Sequence, residues 1–328
     1  MGGRPQISTW TLIPSRILNS TMIRILGTIF AGLFGLAFGS FLNVCLSRWP
    51  AGESIVRPRS HCRQCNRTLA WWENVPLISW LALRGRCRTC RAWIGWRSPL
   101  VELAVGSLWA YTASRVLPTE MSPYFKFEYY PHYVILYGLH SSIAIALESL
   151  LLYWLLVGLA VLDAEHLWLP DWITLPAIVV GSLFVLMPDA WYFFDTLHID
   201  ETRTATKIAE FAAVYILCIL AAAALILFIR WVYWLICRRE GIGLGDAKLM
   251  ALLAAWLGLP GALLSFVLGV VLGALVAIVM LAVPSARRGS ESWALGKLPL
   301  GTFLCIGGII SSLWGQQILV AYLTWAGF

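Results

Sequence analysis

Residues 207–236 read KIAEFAAVYILCILAAAALILFIRWVYWLI, and this stretch sets the class of the protein. The nineteen residues 211–229 within it carry no charge. A helix of about 20 apolar residues is long enough to cross a bilayer. Over all 328 residues, 59% are hydrophobic and only 12% are charged, whereas soluble globular proteins carry about 25% charged residues. The sequence therefore predicts an all-α polytopic membrane protein.

Further apolar runs on both sides of this stretch predict about eight transmembrane helices. The short run before Pro260 is separated from the next one by Pro260 and Gly261, a pair typical of tight turns. The eighteen tryptophans suit a protein with many membrane interfaces. The eight candidates cover residues 22–46, 99–117, 133–162, 168–187, 207–236, 247–259, 261–283 and 300–325.

Charge is distributed unevenly along the chain and predicts its orientation. The segment 47–98 contains ten arginines against Glu53 and Glu73, and the loop near 188–206 is acidic. Because basic loops remain in the cytoplasm, we expect 47–98 to be cytoplasmic and both termini to lie outside. Topology explains the basic segment without nucleic acid as a partner. The arginines are Arg48, Arg57, Arg59, Arg63, Arg67, Arg84, Arg86, Arg88, Arg91 and Arg97.

The composition also predicts the domain organisation. We expect an N-terminal segment with the first transmembrane helix at 1–46, a small cytoplasmic domain at 47–98, and a helical bundle at 99–328. Two outer loops, near 118–132 and 188–206, are expected to be irregular.

Four cysteines in the segment 47–98 form two C-x2-C pairs: Cys62 with Cys65, and Cys87 with Cys90. Two such pairs complete a tetrahedral thiolate site, so the spacing predicts structural zinc. The surrounding arginines would help keep the thiolates ionised. Two disulfides are the alternative, but they are rare in the cytosol. Four protein ligands close such a site to catalysis.

Acidic residues at membrane level are costly and need a reason. Asp163 follows a long apolar run, and Asp246 follows the glycine-rich GIGLG before another one. The ordinary interpretation of Asp246, and of Asp171 after Pro170, is a helix cap or first-turn acid. Asp163 and Asp246 are nevertheless expected at the same membrane face. Together they could share a proton and activate water.

Seven motifs in order along the chain resemble those of the type IV prepilin peptidase family, whose members are membrane aspartic proteases. Its catalytic aspartates fall here on Asp163 and Asp246, and the D-x6-P-D spacing from Asp163 to Asp171 matches. The matching segments are FGSFLNVCLSRWP (38–50), the four cysteines, ENVPLISWLALRGRC (73–87), RSPLVEL (97–103), LDAEHLWLPDWITLP (162–176), GLGDAKLM (243–250) and LPLGTFL (298–304).

The resemblance implies an enzyme of the bacterial inner membrane with type IV prepilins or type II secretion pseudopilins as substrates. It implies cleavage after the glycine of a short basic leader at the cytoplasmic face. The new N-terminal residue, usually Phe, would then be methylated with S-adenosylmethionine.

No glycine motif of an ordinary methyltransferase is present, so methylation rests on the resemblance alone. The candidate residues are Gly39, Asn43, Arg48, Glu53 and Glu102, with Pro50 beside them. Each candidate also has an ordinary structural interpretation. These alternatives are helix packing for Gly39, an interhelical hydrogen bond for Asn43, contact with lipid headgroups for Arg48 and pairing with a nearby arginine for Glu102.

Two other functions remain open from the sequence. One is a peptidase without methyl transfer. The other is a transporter or channel that uses Asp163 and Asp246 as a proton or cation relay, which gives no role to the four cysteines.

Overall fold

The computed structural model of the chain describes residues 13–117, 138–196, 201–239, 243–282 and 298–327. The predicted outer loop near 118–132 lies outside these ranges. The loop near 188–206 is described in part and is helical there, since one helix continues to Thr196 and the next begins at Glu201. The chain divides into two compact units, Met1–Trp154 and Leu155–Phe328.

The described residues are helical, apart from turns and two isolated β-bridges. The helices are α1 Ile13–Arg48, α2 Ile78–Ala82, α3 Arg97–Val116, α4 Gly138–His166, α5 Asp171–Thr196, α6 Glu201–Cys237, α7 Leu244–Ala282 and α8 Leu300–Ala326, with a short 3-10 helix at Trp71–Asn74.

In the first unit, α1 and α3 pack closely because small residues line their contact. A methyl group added at Gly35 would lie 2.9 Å from the Cα atom of Gly106, and one added at Gly39 would lie 2.7 Å from the Cα atom of Glu102. Glycines allow this approach of two backbones, which stabilises helix pairs in a membrane. The chain between the two helices carries the four cysteines.

Five of the described helices are long and apolar enough to cross a membrane: parts of α1, α4 and α6, and the whole of α7 and α8. These helices make the chain a membrane protein. A shorter apolar helix lies at Asp171–Leu186. The prediction of eight spans is therefore not confirmed.

The helix α7 is broken at Gly258, where φ is +69° and ψ is 172°. The break comes before Pro260, so the predicted turn lies slightly earlier than expected. Contacts with α8 show that the chain reverses there. An added methyl group at Gly308 of α8 would touch Leu253 in the first part of α7, while one at Gly269 in the second part of α7 would touch Phe303 of α8.

The first part of α7, residues 244–257, forms the core of the second unit. Most of its apolar side chains are buried, and those of Leu249 and Leu252 completely so, as expected for a helix surrounded by others. The indole N–H of Trp256 donates to the carbonyl of Ala177 in α5 at 2.9 Å. The N-terminus of this central helix carries Asp246.

Candidate active site and metal centre

Asp163 lies in the last turn of α4 and is buried, at 6% exposure. Its Oδ2 atom accepts the backbone N–H of Thr302 in α8 at 2.6 Å. The hydroxyl of Thr302 lies 3.2 Å from the same oxygen and 3.0 Å from the carbonyl oxygen of Ala160. The first turn of α8 thus provides the donors for this acid.

Asp246 lies in the first turn of α7 and is also buried, at 8% exposure. Its Oδ2 atom accepts the backbone N–H of Gly243 at 3.2 Å. A first-turn acid that reaches back to the N–H before the helix is one half of a capping box. The ordinary interpretation of Asp246 therefore describes part of its role.

The fold brings the two aspartates together, although they lie on different helices. The charge of Asp163 acts on Asp246, and the buried thiol of Cys305 interacts electrostatically with both. Two buried carboxylates at short range share one proton near neutral pH, since both cannot easily ionise. One can then remove a proton from water while the other donates one.

Leu169 fills the space beside the two acids. It lies in the connection between α4 and α5 and is buried. A methyl group at Gly245 would come within 3.1 Å of its Cβ atom, and one at Gly301 within 3.1 Å of its Cδ1 atom. Gly245, the second glycine of GLGD, and Gly301, the glycine of PLGT, are therefore needed for close packing around Leu169.

An ion pair joins the helices that begin near this site. Lys248 Nζ lies 2.5 Å from Asp171 Oδ1, with both side chains partly exposed. Asp171 is the first residue of α5, so the acid lies at the predicted helix start. Its lysine partner was not predicted. Glu165 and His166 end α4 and are exposed.

The four cysteines converge on one point. The sulfur atoms of Cys62, Cys65, Cys87 and Cys90 all lie within 4.8 Å of one another, and those of Cys62 and Cys90 are 3.7 Å apart. A tetrahedron with metal–sulfur bonds of about 2.3 Å has sulfurs about 3.8 Å apart. The cluster can therefore hold a metal ion such as zinc.

The two cysteine pairs are built in the same way, twenty-five residues apart. Asn66 donates its N–H to the carbonyl of Cys62 at 2.8 Å, and Arg91 donates to that of Cys87 at 3.0 Å. Asn66 and Arg91 both have a positive φ, of 54° and 58°. A β-bridge flanks each pair, joining His61 to Thr68 and Arg86 to Trp93.

Hydrogen bonds support the thiolate form of Cys87, whereas burial and the neighbouring thiols raise the pKa of Cys90 to about 11. Backbone N–H groups of Cys90 and Thr89 lower the pKa of the Cys87 thiol to about 6. The sequence predicted that arginines would do this, so the backbone contribution is an addition. Arg67 lies 2.6 Å from the buried carboxylate of Glu73 and lowers its pKa. This ion pair fixes the chain that follows the first cysteine pair.

Three of the methyl-transfer candidates meet where α1 ends and α3 begins. Glu102 is buried and interacts with Asn43, Ser40 and Ser98 through side-chain hydrogen bonds. Its Oε2 atom accepts the N–H of Leu77 at 2.8 Å, and Leu77 has a φ of +57°. Gly39 packs on the backbone of Glu102, as its helix-packing alternative predicts.

The remaining candidates lie differently. The guanidinium of Arg48 is buried and donates to the carbonyls of Ser54 and Pro58 at 2.7 and 2.6 Å, which replaces the lipid-headgroup alternative. Glu53 is exposed. Asn43 donates to Ser98, while its buried Oδ1 atom has no hydrogen-bond partner in the described part of the chain.

The structure thus describes a helical membrane protein with a pair of buried, interacting carboxylates. Comparison with known proteins agrees. Residues 33–116 match the bacterial peptidase A24 N-terminal domain, and residues 150–278 match the type IV leader peptidase family. No solved structure matches the chain significantly.

Several relatives are called prepilin leader peptidase/N-methyltransferase. Those of Stutzerimonas stutzeri and Pseudomonas aeruginosa are 32% and 33% identical over 317 and 319 residues, covering 90% of this chain and 93% of each relative. That of Myxococcus xanthus is 36% identical over 83% of this chain and 68% of its own. The chain belongs to the type IV leader peptidase family and is an enzyme.

Proposed function

We propose that the chain is a prepilin leader peptidase and N-methyltransferase. It would cut the basic leader of type IV prepilins or pseudopilins after glycine, and then methylate the new N-terminal residue. The observation that carries the proposal is the buried, interacting pair Asp163 and Asp246 in a chain of this family.

The peptidase step needs only this pair and water. One carboxylate takes a proton from water while the water oxygen attacks the scissile carbonyl carbon. The other carboxyl group gives its proton to the carbonyl oxygen. The carbon–nitrogen bond then breaks, and a proton passes to the leaving amine. Burial favours this chemistry because charges interact more strongly away from bulk water.

The proposed location is the bacterial inner membrane, with the active site and the segment 47–98 at the cytoplasmic face. The excess of arginine in 47–98 supports this orientation. We keep the division into 1–46, 47–98 and 99–328 as the functional domains. The lipid bilayer is the partner of the apolar helices, and the apolar helix of the substrate would dock among them.

Zinc would be held by Cys62, Cys65, Cys87 and Cys90. The mutual distances of the sulfurs suit a tetrahedral ion. Because all four ligands come from the protein, the ion would stabilise the fold of 47–98 and leave no open position for substrate.

For methyl transfer, Asn43 and Glu102 are the residues most able to touch a ligand. A buried acceptor that lacks a donor, beside a buried carboxylate, suits a cationic group such as a sulfonium or an ammonium. S-adenosylmethionine would supply the methyl group. Gly39 and Arg48 would support these two residues from the helix and the following turn, and Glu53 would lie at the exposed edge.

Reconstitution of the purified protein with a prepilin peptide and S-adenosylmethionine tests the proposal. We expect a cleaved product carrying one extra methyl group by mass spectrometry. Asp163→Asn and Asp246→Asn should each abolish cleavage while the protein still inserts in the membrane. Cleavage by either variant would rule out the pair as the catalytic groups, and ion flux into liposomes without proteolysis would favour the transporter.

For the methyl-transfer residues, a peptide that already begins with the mature Phe is the better substrate. Asn43→Ala and Glu102→Gln should lower its methylation, whereas cleavage of the full prepilin should persist. Methylation at the wild-type rate in both variants would exclude this cluster.

A further inference from the structure

Thr302 contacts Asp163 with two of its own groups. Its backbone N–H donates to Oδ2 at 2.6 Å, and its hydroxyl lies 3.2 Å from the same oxygen. The backbone N–H of Gly301 also interacts electrostatically with this acid. Asp163 is thus surrounded by donors from one turn of α8.

The N–H groups of Gly301 and Thr302 would otherwise lack an acceptor within α8. The first N–H groups of a helix have no partner within the helix, and Pro299, which precedes α8, makes no side-chain capping bond. Asp163 therefore caps α8 from another helix. A capping carboxylate is most effective when ionised, because the N-terminus of a helix carries partial positive charge.

Asp246 accepts fewer hydrogen bonds than Asp163 from the described residues. Within the described ranges, the hydrogen bond to its side chain is the one from Gly243, at 3.2 Å. The start of its own helix α7 also favours a negative charge. The N–H of Thr302 at 2.6 Å, with the N–H of Gly301 beside it, outweighs this, since donors at contact distance stabilise a carboxylate more than a distant dipole does. The hydroxyl of Thr302 adds a donor when its one proton points to Oδ2 of Asp163 and not to the carbonyl of Ala160, 3.0 Å away.

We propose that Thr302 and the first turn of α8 hold Asp163 as the ionised carboxylate of the pair, which leaves the shared proton on Asp246. This inference rests on the proposed peptidase function. It makes Thr302 a positioning residue, which acts through Asp163. It also gives the two acids different tasks in the same reaction.

The reaction then runs in one order. Asp163 takes a proton from water as the water oxygen bonds to the scissile carbon, and Asp246 gives its proton to the carbonyl oxygen. These two steps produce a tetrahedral intermediate with two hydroxyl groups on the scissile carbon. When the intermediate collapses, one of these hydroxyl groups returns a proton to Asp246. Asp163 passes its proton to the leaving nitrogen as the carbon–nitrogen bond breaks, so both acids return to their starting forms.

Thr302→Val tests the role of the hydroxyl, because valine keeps the shape and the backbone N–H. We expect kcat for prepilin cleavage to fall about 10-fold to 100-fold with KM within about twofold, in line with the loss of one positioning donor. Thr302→Ser should restore kcat to within about threefold of wild type.

The matched control is Thr112→Val. Thr112 is another buried threonine, and its hydroxyl bonds to the carbonyl of Leu108 in its own helix at 3.0 Å. The Thr112→Val variant should cleave prepilin at the wild-type rate. If Thr302→Val is not recovered from membranes, Thr302→Ala replaces it with the same expectation.

A wild-type kcat in Thr302→Val, or a Thr302→Ser as slow as Thr302→Val, would overturn the inference while leaving the peptidase function intact. An effect on KM alone would overturn it too. A wild-type protein that does not cleave would instead refute the proposed function.

The proton assignment is tested by binding of a peptide with a statine-type secondary alcohol in place of the scissile bond. Asn resembles a protonated aspartate, so Asp246→Asn should bind within about fivefold of wild type, whereas Asp163→Asn should bind at least about 30-fold more weakly. The opposite order, or equal losses, would contradict the assignment.

Discussion

Replacing Gly301 with alanine would place a methyl group against the carboxylate of Asp163. The added carbon would lie 2.8 Å from Oδ2 and 2.9 Å from Cγ of Asp163, and 3.1 Å from Cδ1 of Leu169. Ordinary carbon contacts are about 3.5 to 4 Å. The carboxylate must therefore move by roughly 0.7 Å or more, or α8 must shift away from it.

A displacement of about 1 Å at reacting groups costs on the order of 100-fold in rate. We therefore expect Gly301→Ala to lower kcat for leader cleavage about 30-fold to 100-fold, which corresponds to about 2 to 3 kcal/mol in the activation free energy. The assay is the initial rate of prepilin peptide cleavage in detergent micelles or liposomes, with protein amounts matched by gel.

Gly315→Ala is the control on the same helix. Its added methyl would meet the hydroxyl oxygen of Ser311 at 3.3 Å and Cδ2 of Leu264 at 3.5 Å, both of which lie at side-chain ends. We expect wild-type cleavage and a gain of up to about 1 kcal/mol in stability from the better helix former. A Gly301→Ala variant that cleaves within threefold of wild type would refute the packing argument.

Three further changes follow from the same contacts. Asp171→Asn or Lys248→Met removes an exposed ion pair, worth about 1 kcal/mol or less, so cleavage should stay within about fivefold of wild type; a complete loss would assign the pair to the chemistry. Cys65→Ser should lose the metal measured by elemental analysis and become sensitive to trypsin in 47–98, whereas equal metal contents would contradict the zinc site. Gly245→Ala would crowd Leu169 at 3.1 Å and should slow cleavage, and the additional Leu169→Ala should restore part of the rate; no restoration would place the effect elsewhere.

The membrane class and the positions of the two aspartates could be predicted because both carry a strong physical signal. The length of an apolar segment can be compared directly with the thickness of the bilayer. An acidic residue at membrane level is costly enough that it usually has a function. The cysteine cluster was predictable for a similar reason, since its spacing suits one tetrahedral ion.

The span count was harder to predict. Residues 244–257 would extend only about 21 Å as a helix, less than the apolar thickness of a bilayer. The burial of residues 249–256 among other helices removes the contact with lipid that hydropathy assumes. Hydropathy thus gives the apolar segments but not which of them cross the membrane.

Thr302 and Lys248 gave no signal in the sequence because their partners lie far along the chain. Thr302 is 139 residues from Asp163, and Lys248 is 77 residues from Asp171. A neutral threonine at the start of an apolar helix is common, so only the fold identifies its role. The partners of Arg48 were missed because they depend on the path of the turn that follows α1.

The capping of two helix ends by the aspartates is compatible with their proposed catalytic role. Asp163 caps α8 through Thr302, and Asp246 caps its own helix through Gly243, in both cases with Oδ2. A carboxylate offers about four lone-pair sites, so capping leaves others for water and substrate. The capping hydrogen bonds fix both carboxylates before substrate binds. The same bonds that stabilise two helix ends would therefore provide the preorganised side chains that acid–base catalysis requires.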